Sequence, residues 1–327
     1  MLKKSMKAVL TVAAIASVST VAMAEAKISG SAAAYFGQND TGVEGAAARL
    51  VTRSEANVWL KGSKGNMSYA FEYEQREESA ESTHTAADNR GRAYLTYKMD
   101  KLSFSIGELT TGVQPSIVAG TKTSQTAALG VYLGTNTYRQ SQGAGLSFAI
   151  QDGMTAGLTL YTDDGTGSEG QAYVGWFKGK FGDISARASL LSGSGEDFDV
   201  DTDEAKARSN MLLGATIGLG EGMSIAVDSA SNSQTQSDDT KNSKSDLALM
   251  FSMGLGDATV KATFATRETK VSDEKSSSNT FLTGVYDAKV SDGAGIQAVY
   301  ASNATKTEST GETVTETFLG AGFYSSF

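Results

Sequence analysis

The chain has 327 residues, a net charge of −9, 36 glycines, one proline, one histidine and no cysteine. An ordinary share of roughly 5% would give about sixteen prolines, so the chain avoids the residue that cannot donate to a β-ladder. The lack of cysteine excludes disulfides, thiolate metal sites and cysteine nucleophiles, and a single histidine disfavours a Ser-His-Asp triad or a multi-histidine metal site. The composition therefore predicts a chain of paired strands that is not an enzyme and has no cofactor.

The N-terminal segment, residues 1–24, is predicted to be a signal peptide. Three lysines precede a mostly apolar stretch at residues 8–21, and an Ala-Met-Ala sequence that ends at Ala24 matches the small-residue cleavage pattern. Cleavage there removes lysines and no acid, so the remaining chain, residues 25–327, is more acidic than the whole. This acidity argues against nucleic acid as a partner. No later stretch approaches the roughly 20 apolar residues of a membrane helix.

In the predicted mature chain, apolar side chains recur at every second position. The repeat is clear in residues 67–74, 92–99 and 246–255, and it returns at the C-terminus in residues 319–327. A period of two puts all apolar groups on one face of a β-strand. In a soluble sandwich the two faces would meet core and solvent, whereas in a membrane barrel they would meet lipid and a polar lumen.

The predicted elements, in chain order, are about sixteen strands of the length that crosses a bilayer when tilted. They lie near residues 27–36, 51–61, 66–76, 91–99, 102–110, 138–150, 154–162, 171–178, 183–192, 208–219, 223–230, 245–255, 258–268, 280–290, 295–302 and 315–327. Short turns alternate with longer polar connections, such as residues 77–90, 193–207, 230–244 and 303–314. Outer-membrane barrels sort short periplasmic turns and long external loops in this way, and soluble sandwiches do not. The sequence thus predicts an all-β transmembrane antiparallel barrel that forms one domain over residues 25–327.

Several segments resemble the Gram-negative general porins. SEANVWLKGSKGNMSYAFEYEQ at residues 54–75 resembles the second and third strands of that family, NRGRAYLTYKMDKLSFSIGELTT at residues 89–111 its fourth and fifth, residues 138–161 its sixth and seventh, and the terminal FLGAGFYSSF its last strand. The resemblance implies a usually homotrimeric, water-filled channel for ions and small hydrophilic solutes in the outer membrane, among lipid and lipopolysaccharide. It also implies that the barrel-assembly machinery reads the final Phe327.

The longest connection begins at Thr111 and ends at Thr137, between the fifth and sixth strands. In the family this third external loop folds into the barrel and narrows it, and a loop of such length is uncommon unless it is functional. Pro115 lies in it, where proline disturbs no ladder. The segment departs from the family pattern because it contains Lys122 but no carboxylate, and Glu108 stands where relatives commonly have a basic residue. These departures argue against the strong transverse field that is typical of the family's constriction.

Alternation predicts a mixed, slightly basic inner wall. The predicted pore-lining and constriction residues are Arg53, Arg92, Glu108, Lys122, Arg139, Arg187 and Arg208. The same alternation adds Arg267, Asp228 and Asp246 to the inner wall. Because rings of charge set the potential in a pore, a faint anion preference is one hypothesis. The alternative is that these charges pair across neighbouring strands and merely solvate the wall.

Three further motifs carry less weight. GTGSEG at residues 165–170 matches G-x-G-x-x-G, but a strand follows it where a dinucleotide site needs a helix. Alternate aspartates at residues 197–203 imitate the start of an EF-hand without its glycine and its final glutamate, which leaves a loose divalent-cation site as an alternative. His84 falls in a predicted external loop and is interpreted as a solvated side chain.

Two rival functions remain open beside a general porin. A substrate-specific channel would carry a row of inward aromatic or basic side chains, for which Tyr94, Tyr161, Tyr173 and Phe177 are candidates without an orderly track. A structural or adhesive barrel is disfavoured, since about sixteen strands enclose an aqueous bore. Other aromatic residues, Trp176 among them, fall near predicted strand ends, as in the girdles of membrane barrels.

Overall fold

The computed structural model describes residues 25–43, 45–80, 83–110, 140–162, 171–193, 207–236 and 239–326. The predicted signal peptide, the loop from Thr111 to Thr137 and the terminal Phe327 lie outside the described residues. The motifs at residues 165–170 and 197–203 lie outside them as well.

Sixteen strands form one closed antiparallel barrel, in which each strand pairs with its sequence neighbours and β1 pairs with β16. The strands are β1 (Glu25–Asp40), β2 (Arg49–Lys64), β3 (Met67–Ala80), β4 (Thr83–Met99), β5 (Leu102–Thr110), β6 (Gln140–Gln151), β7 (Met154–Thr162), β8 (Gln171–Phe181), β9 (Ile184–Gly193), β10 (Ala207–Gly220), β11 (Met223–Thr235), β12 (Lys241–Leu255), β13 (Ala258–Val271), β14 (Glu274–Ser291), β15 (Ala294–Thr307) and β16 (Thr313–Ser326). Closure leaves no unpaired edge. The predicted all-β barrel of about sixteen strands is therefore confirmed.

The apolar outer face follows the predicted alternation. On β12 the alternate residues Leu247, Leu249 and Phe251 are 39–56% exposed, whereas Ala248 and Met250 between them are buried. Exposure of so many large apolar groups on one face is unfavourable in water and is typical of contact with lipid hydrocarbon. Within the described residues, no helix is long and apolar enough to cross a membrane.

Several external connections are shorter than predicted because the strands continue past the apolar band. The predicted loop at residues 77–90 is largely strand, since β3 ends at Ala80 and β4 begins at Thr83. Only Ser272 and Asp273 join β13 to β14, both with the positive φ of a tight hairpin turn. Apolar alternation stops where lipid contact stops, but the hydrogen-bonded ladder does not. Alternation alone therefore underestimates strand length on this side.

The inner wall is less polar than a water-filled lumen predicts. A buried apolar cluster spans β11 to β16 and consists of Ala226, Ala248, Met250, Ala265, Phe281, Val285, Val299, Ala301 and Phe318. A second cluster joins β5 to β7, β8 and β9 and consists of Leu109, Tyr161, Ala172, Val174 and Leu191. Buried polar residues such as Asn210, Thr263 and Gln297 lie between and around them. The charged side chains of the inner wall lie on this mixed surface.

Candidate functional site: the charged inner wall

Two rows of the ladder bring opposite charges together on the inner wall. In the first row, Gly214 on β10 pairs with Arg187 on β9 and with Asp228 on β11. In the second row, Asp246 on β12 pairs with Arg267 on β13. Directly opposed residues of antiparallel strands point to the same side of a sheet. Register therefore brings together side chains that are far apart in the sequence.

The first row depends on a glycine that lies between the two charged residues. Nε of Arg187 lies 4.0 Å from Oδ1 of Asp228, and its Nη2 donates a hydrogen bond to Oγ1 of Thr216 at 2.8 Å. A Cβ at Gly214 would collide with the carboxylate of Asp228 and crowd the Arg187 side chain. The Asp228 side chain is 1% exposed and that of Arg187 is 19% exposed. The carboxylate is thus buried, and the arginine side chain is the more exposed partner.

The second row also pairs an arginine with a more deeply buried aspartate, and the two side chains are closer together. Nε of Arg267 donates to Oδ1 of Asp246 at 2.7 Å and Nη2 donates to Oδ2 at 3.0 Å. Such a bidentate pair of charged groups is among the stronger hydrogen-bonded contacts in proteins. The guanidinium also lies 5.9 Å from the centre of the Phe281 ring. Here too the carboxylate is the more deeply buried partner, at 6% exposure against 17% for the arginine.

Two lysines lie over tryptophan rings of the inner wall. Nζ of Lys61 is 4.3 Å from the centre of the Trp59 ring, and Nζ of Lys178 is 5.7 Å from that of Trp176. Attraction between an ammonium group and a ring face holds these cations against the wall without a carboxylate. A Cβ at Gly157, which is opposite Trp176, would collide with the indole. The prediction that Trp176 belongs to an interface girdle is therefore wrong, because it shares the inner face of the buried Val174.

In these contacts of the described inner wall, the cations are more exposed than the carboxylates. Glu72, Asp228 and Asp246 are buried, whereas the neighbouring arginines and the two lysines over tryptophan are more exposed. Because the Coulomb interaction weakens with distance, the charge nearer the solution contributes more to the potential there.

The structure describes only some of the predicted site residues in full. Arg187 lies on the inner wall in the first row. The backbones of Arg53, Arg92 and Arg208 belong to β2, β4 and β10, and their side chains lie outside the described residues. Lys122 and Arg139 also lie outside them, as does Pro115. Gly214 and the cation-bearing tryptophans were not predicted, since only the cross-strand register shows their role.

Three residues predicted to face inward lie on the outer face instead. Glu108 alternates with the buried, inward Leu109 and therefore shares the outer face of Ile106, which is exposed. Tyr173 is exposed on the outer face of β8, and Phe177 shares its parity. Inward and outward positions alternate along a strand, so an error of one residue in the predicted inward positions moves every side chain to the opposite face. Such an error explains these three assignments.

The remaining aromatic candidates, Tyr94 and Tyr161, do lie inward. Both pack into the second apolar cluster, and Tyr161 is fully buried there. A ring without exposed surface has no contact with a passing solute. Tyr161 therefore forms part of the wall rather than of an aromatic track along the pore, and Tyr94 packs against the same cluster while remaining partly exposed.

Comparison with known proteins places this geometry among outer-membrane channels. A family model described as Gram-negative porin matches residues 11–325. Direct comparison with curated protein sequences finds no match.

Several solved structures share the fold at low sequence identity. The anion-selective porin from Comamonas acidovorans is 12% identical with a TM-score of 0.69, over 93% of this chain and 99% of that chain. The outer-membrane channel DcaP of Acinetobacter baumannii is 11% identical with a TM-score of 0.64, over 93% and 97%. The in-vitro folded trimer form of OmpT from Vibrio cholerae is 11% identical with a TM-score of 0.63, over 92% and 99%. At such identities these likenesses show the fold alone.

Proposed function

Because the chain belongs to the Gram-negative porin family, whose members are outer-membrane channels, we propose that it passes ions and small hydrophilic solutes passively and prefers anions. The observation that carries the preference is the difference in exposure between opposite charges on the inner wall. In both ion-pair rows the arginine side chain is more exposed than its carboxylate partner. Charge nearest the permeating solution concentrates the opposite ion.

Salt weakens this preference in a defined way. The Debye length is about 10 Å at 0.1 M and about 3 Å at 1 M ionic strength. Wall charges therefore act across a bore of molecular width only in dilute salt. We expect the anion preference to be strongest at low ionic strength and to approach zero near 1 M.

The test is the reversal potential of the purified channel in a planar bilayer under a potassium chloride gradient. The wild type gives a sign that corresponds to chloride permeating faster than potassium. The double variant Lys61→Gln, Lys178→Gln shifts the potential toward zero, because it removes two cations of the bore and leaves no carboxylate without its partner. Lys241→Gln, on the outer face at the external end of β12, is the matched control and leaves the potential unchanged. A potential with the sign of potassium preference in the wild type contradicts the proposal.

We also propose the features that the family resemblance implies beyond the described residues. Residues 1–24 are removed on export, the loop from Thr111 to Thr137 narrows the bore, and Phe327 directs assembly by the barrel-assembly machinery. The channel is a homotrimer in contact with lipopolysaccharide. The likeness to a structure described as a trimer form supports the trimer, and the mass of the purified complex in native mass spectrometry tests it.

A further inference from the structure

The only two tryptophans of the chain belong to two copies of one motif, Trp-x-Lys-Gly-x-x-Gly. The copies cover residues 59–65 at the end of β2 and residues 176–182 at the end of β8. In both copies the last glycine has the positive φ of a turn, and the lysine four residues before it lies over the tryptophan ring. Lys61 and Lys178 therefore lie on the inner wall at a similar height in the bore.

A second cation stands directly opposite each of these lysines. Lys27 on β1 is opposite Lys61, and Arg187 on β9 is opposite Lys178. The Cβ atoms of directly opposed residues are about 4.5–5.5 Å apart, so like charges at these positions destabilise the ladder. Five strands, β3 to β7, separate the two pairs on one side of the barrel, and seven, β10 to β16, separate them on the other. The same unfavourable contact therefore occurs twice, on two sides of the bore.

Ion pairs do not offset this repulsion at three of the four cations. Among the described residues, no carboxylate lies within ion-pair distance of Lys27, Lys61 or Lys178, and all three side chains are exposed. Arg187 contacts the buried Asp228, so the second pair is partly compensated and the first is not. Each pair therefore keeps a net positive charge, and an anion from the bore has access to it.

We propose that each like-charge pair binds a doubly charged tetrahedral oxyanion, of the class of sulfate and phosphate monoesters, near the periplasmic end of the bore. The inference rests on the proposed function and deepens it, because it names the anions that the bore holds. Ammonium and guanidinium groups both bind such oxyanions.

The charge and the shape of the ligand follow from the arrangement of each pair. An anion with its charge spread over several oxygens contacts both cations at once and replaces their repulsion by attraction. A singly charged ion offsets only half of the charge of two cations. The contact of each lysine with a tryptophan ring also limits the motion of the ammonium group, which lowers the entropy cost of binding.

The test is equilibrium dialysis of radiolabelled sulfate against the purified full channel at low ionic strength. The double variant Lys27→Gln, Lys178→Gln leaves one cation in each pair, and we expect a several-fold loss of affinity. The matched control is Lys98→Gln, Lys101→Gln. It removes two exposed lysines at the same end of the barrel, but Lys98 is opposite Ser103 and Lys101 lies in a turn, so neither is directly opposed by a cation.

The control variant and the arginine variant Lys27→Arg, Lys178→Arg keep the affinity of the wild type. Equal affinity in the glutamine double variant and the control overturns the proposal, because position opposite a second cation would then have no effect. Conductance in 1 M potassium chloride verifies the fold of every variant, since the Debye length of about 3 Å at that concentration screens the wall charges.

Competition by methyl phosphate tests the need for two charges on one ligand. The second pKa of a phosphate monoester is about 6, whereas lysine and arginine keep their charge between pH 5 and pH 8. We expect methyl phosphate to displace sulfate several-fold more weakly at pH 5 than at pH 8. Equal displacement at the two pH values overturns the proposal, and so does displacement by acetate that equals that by methyl phosphate at pH 8.

The reversal potential separates failure of these sites from failure of the proposed function. A wild type that prefers chloride to potassium but binds no sulfate overturns the sites alone. A wild type that binds sulfate at the pairs but prefers potassium contradicts the proposed anion preference and leaves the sites standing.

Discussion

Two consecutive residues of β13 take part in two sets of ion pairs, one buried on the inner face and one exposed on the outer face. Arg267 points inward and contacts Asp246 in a bidentate pair in which both side chains are largely buried. Glu268, the next residue, points outward and contacts Lys270 and Lys275. Lys275 also contacts Glu308, which contacts Lys306, and in this outer set the distances are 3.1–3.8 Å and the side chains are 28–49% exposed. The same charge chemistry therefore meets two environments one residue apart.

The difference in burial decides how strongly each pair is held. Removing one partner of a buried pair leaves an uncompensated charge in a low-dielectric site, which is costly. Exposed pairs contribute little to stability, because water competes for each ion. Charges on the inner wall therefore keep one arrangement, whereas the exposed pairs of the outer set break and form again easily.

Arg267→Met gives the largest loss of stability. It leaves the buried carboxylate of Asp246 without its bidentate partner, and the free energy of unfolding falls by about 3 kcal/mol. Denaturant unfolding in lipid vesicles, followed by tryptophan fluorescence, measures the loss. The double variant Arg267→Met, Asp246→Leu recovers most of it, because no unpaired charge remains. A single variant as stable as the wild type contradicts the assignment of a buried pair.

Gly214→Ala gives the second largest effect. Its Cβ collides with the Asp228 carboxylate and crowds Arg187, so stability falls by about 2 kcal/mol, as in other overpacked sites. The displaced guanidinium also changes the reversal potential. Gly284→Ala is the control, since a Cβ there meets no atom within 4 Å. Equal stability of the two variants would show that Gly214 is not required for the first row.

Trp176→Leu gives a smaller loss, of about 1 kcal/mol. The indole covers Gly157 on the neighbouring strand and lies under the ammonium group of Lys178, and ring contacts with cations are worth about this much at partly exposed sites. Phe181→Leu, on the exposed outer face of β8, is the control and changes stability less. The same unfolding titration measures the stability of both variants. A larger loss in Phe181→Leu than in Trp176→Leu would contradict the inner placement of Trp176.

Lys275→Gln changes stability least, because its ion pairs are exposed and water competes for each ion. The hydrogen bond from Lys275 lowers the pKa of Glu308 below its ordinary value of 4.5. A lowered pKa means that the contribution of this pair is present above pH 4.5 and is lost as the pH falls through the lower folded-state value. The small difference between wild type and variant therefore disappears in acid. A difference that persists at pH 2 contradicts this origin.

The sequence predicted the barrel but not the details of its wall. Alternation at residues such as Leu247 and Phe251 reports lipid contact directly, so strand number and outer face could be read from it. The row of Arg187, Gly214 and Asp228 could not be predicted from the sequence, because it depends on the register between neighbouring strands. Strand ends beyond the apolar band were missed because polar ladders have no periodic signal there.

The proposed bore is wet, positively charged and lined by alternate side chains, and the absence of cysteine makes this arrangement directly testable. Single cysteines replace Thr155, a partly exposed residue of the inner wall directly opposite Lys178, and Leu249, on the outer face, in the channel in lipid bilayers. We expect Thr155→Cys to react with water-soluble thiosulfonates, and faster with an anionic reagent than with a cationic one of equal size, whereas Leu249→Cys reacts with neither. Faster reaction with the cationic reagent at position 155, or reaction only at position 249, would contradict this arrangement.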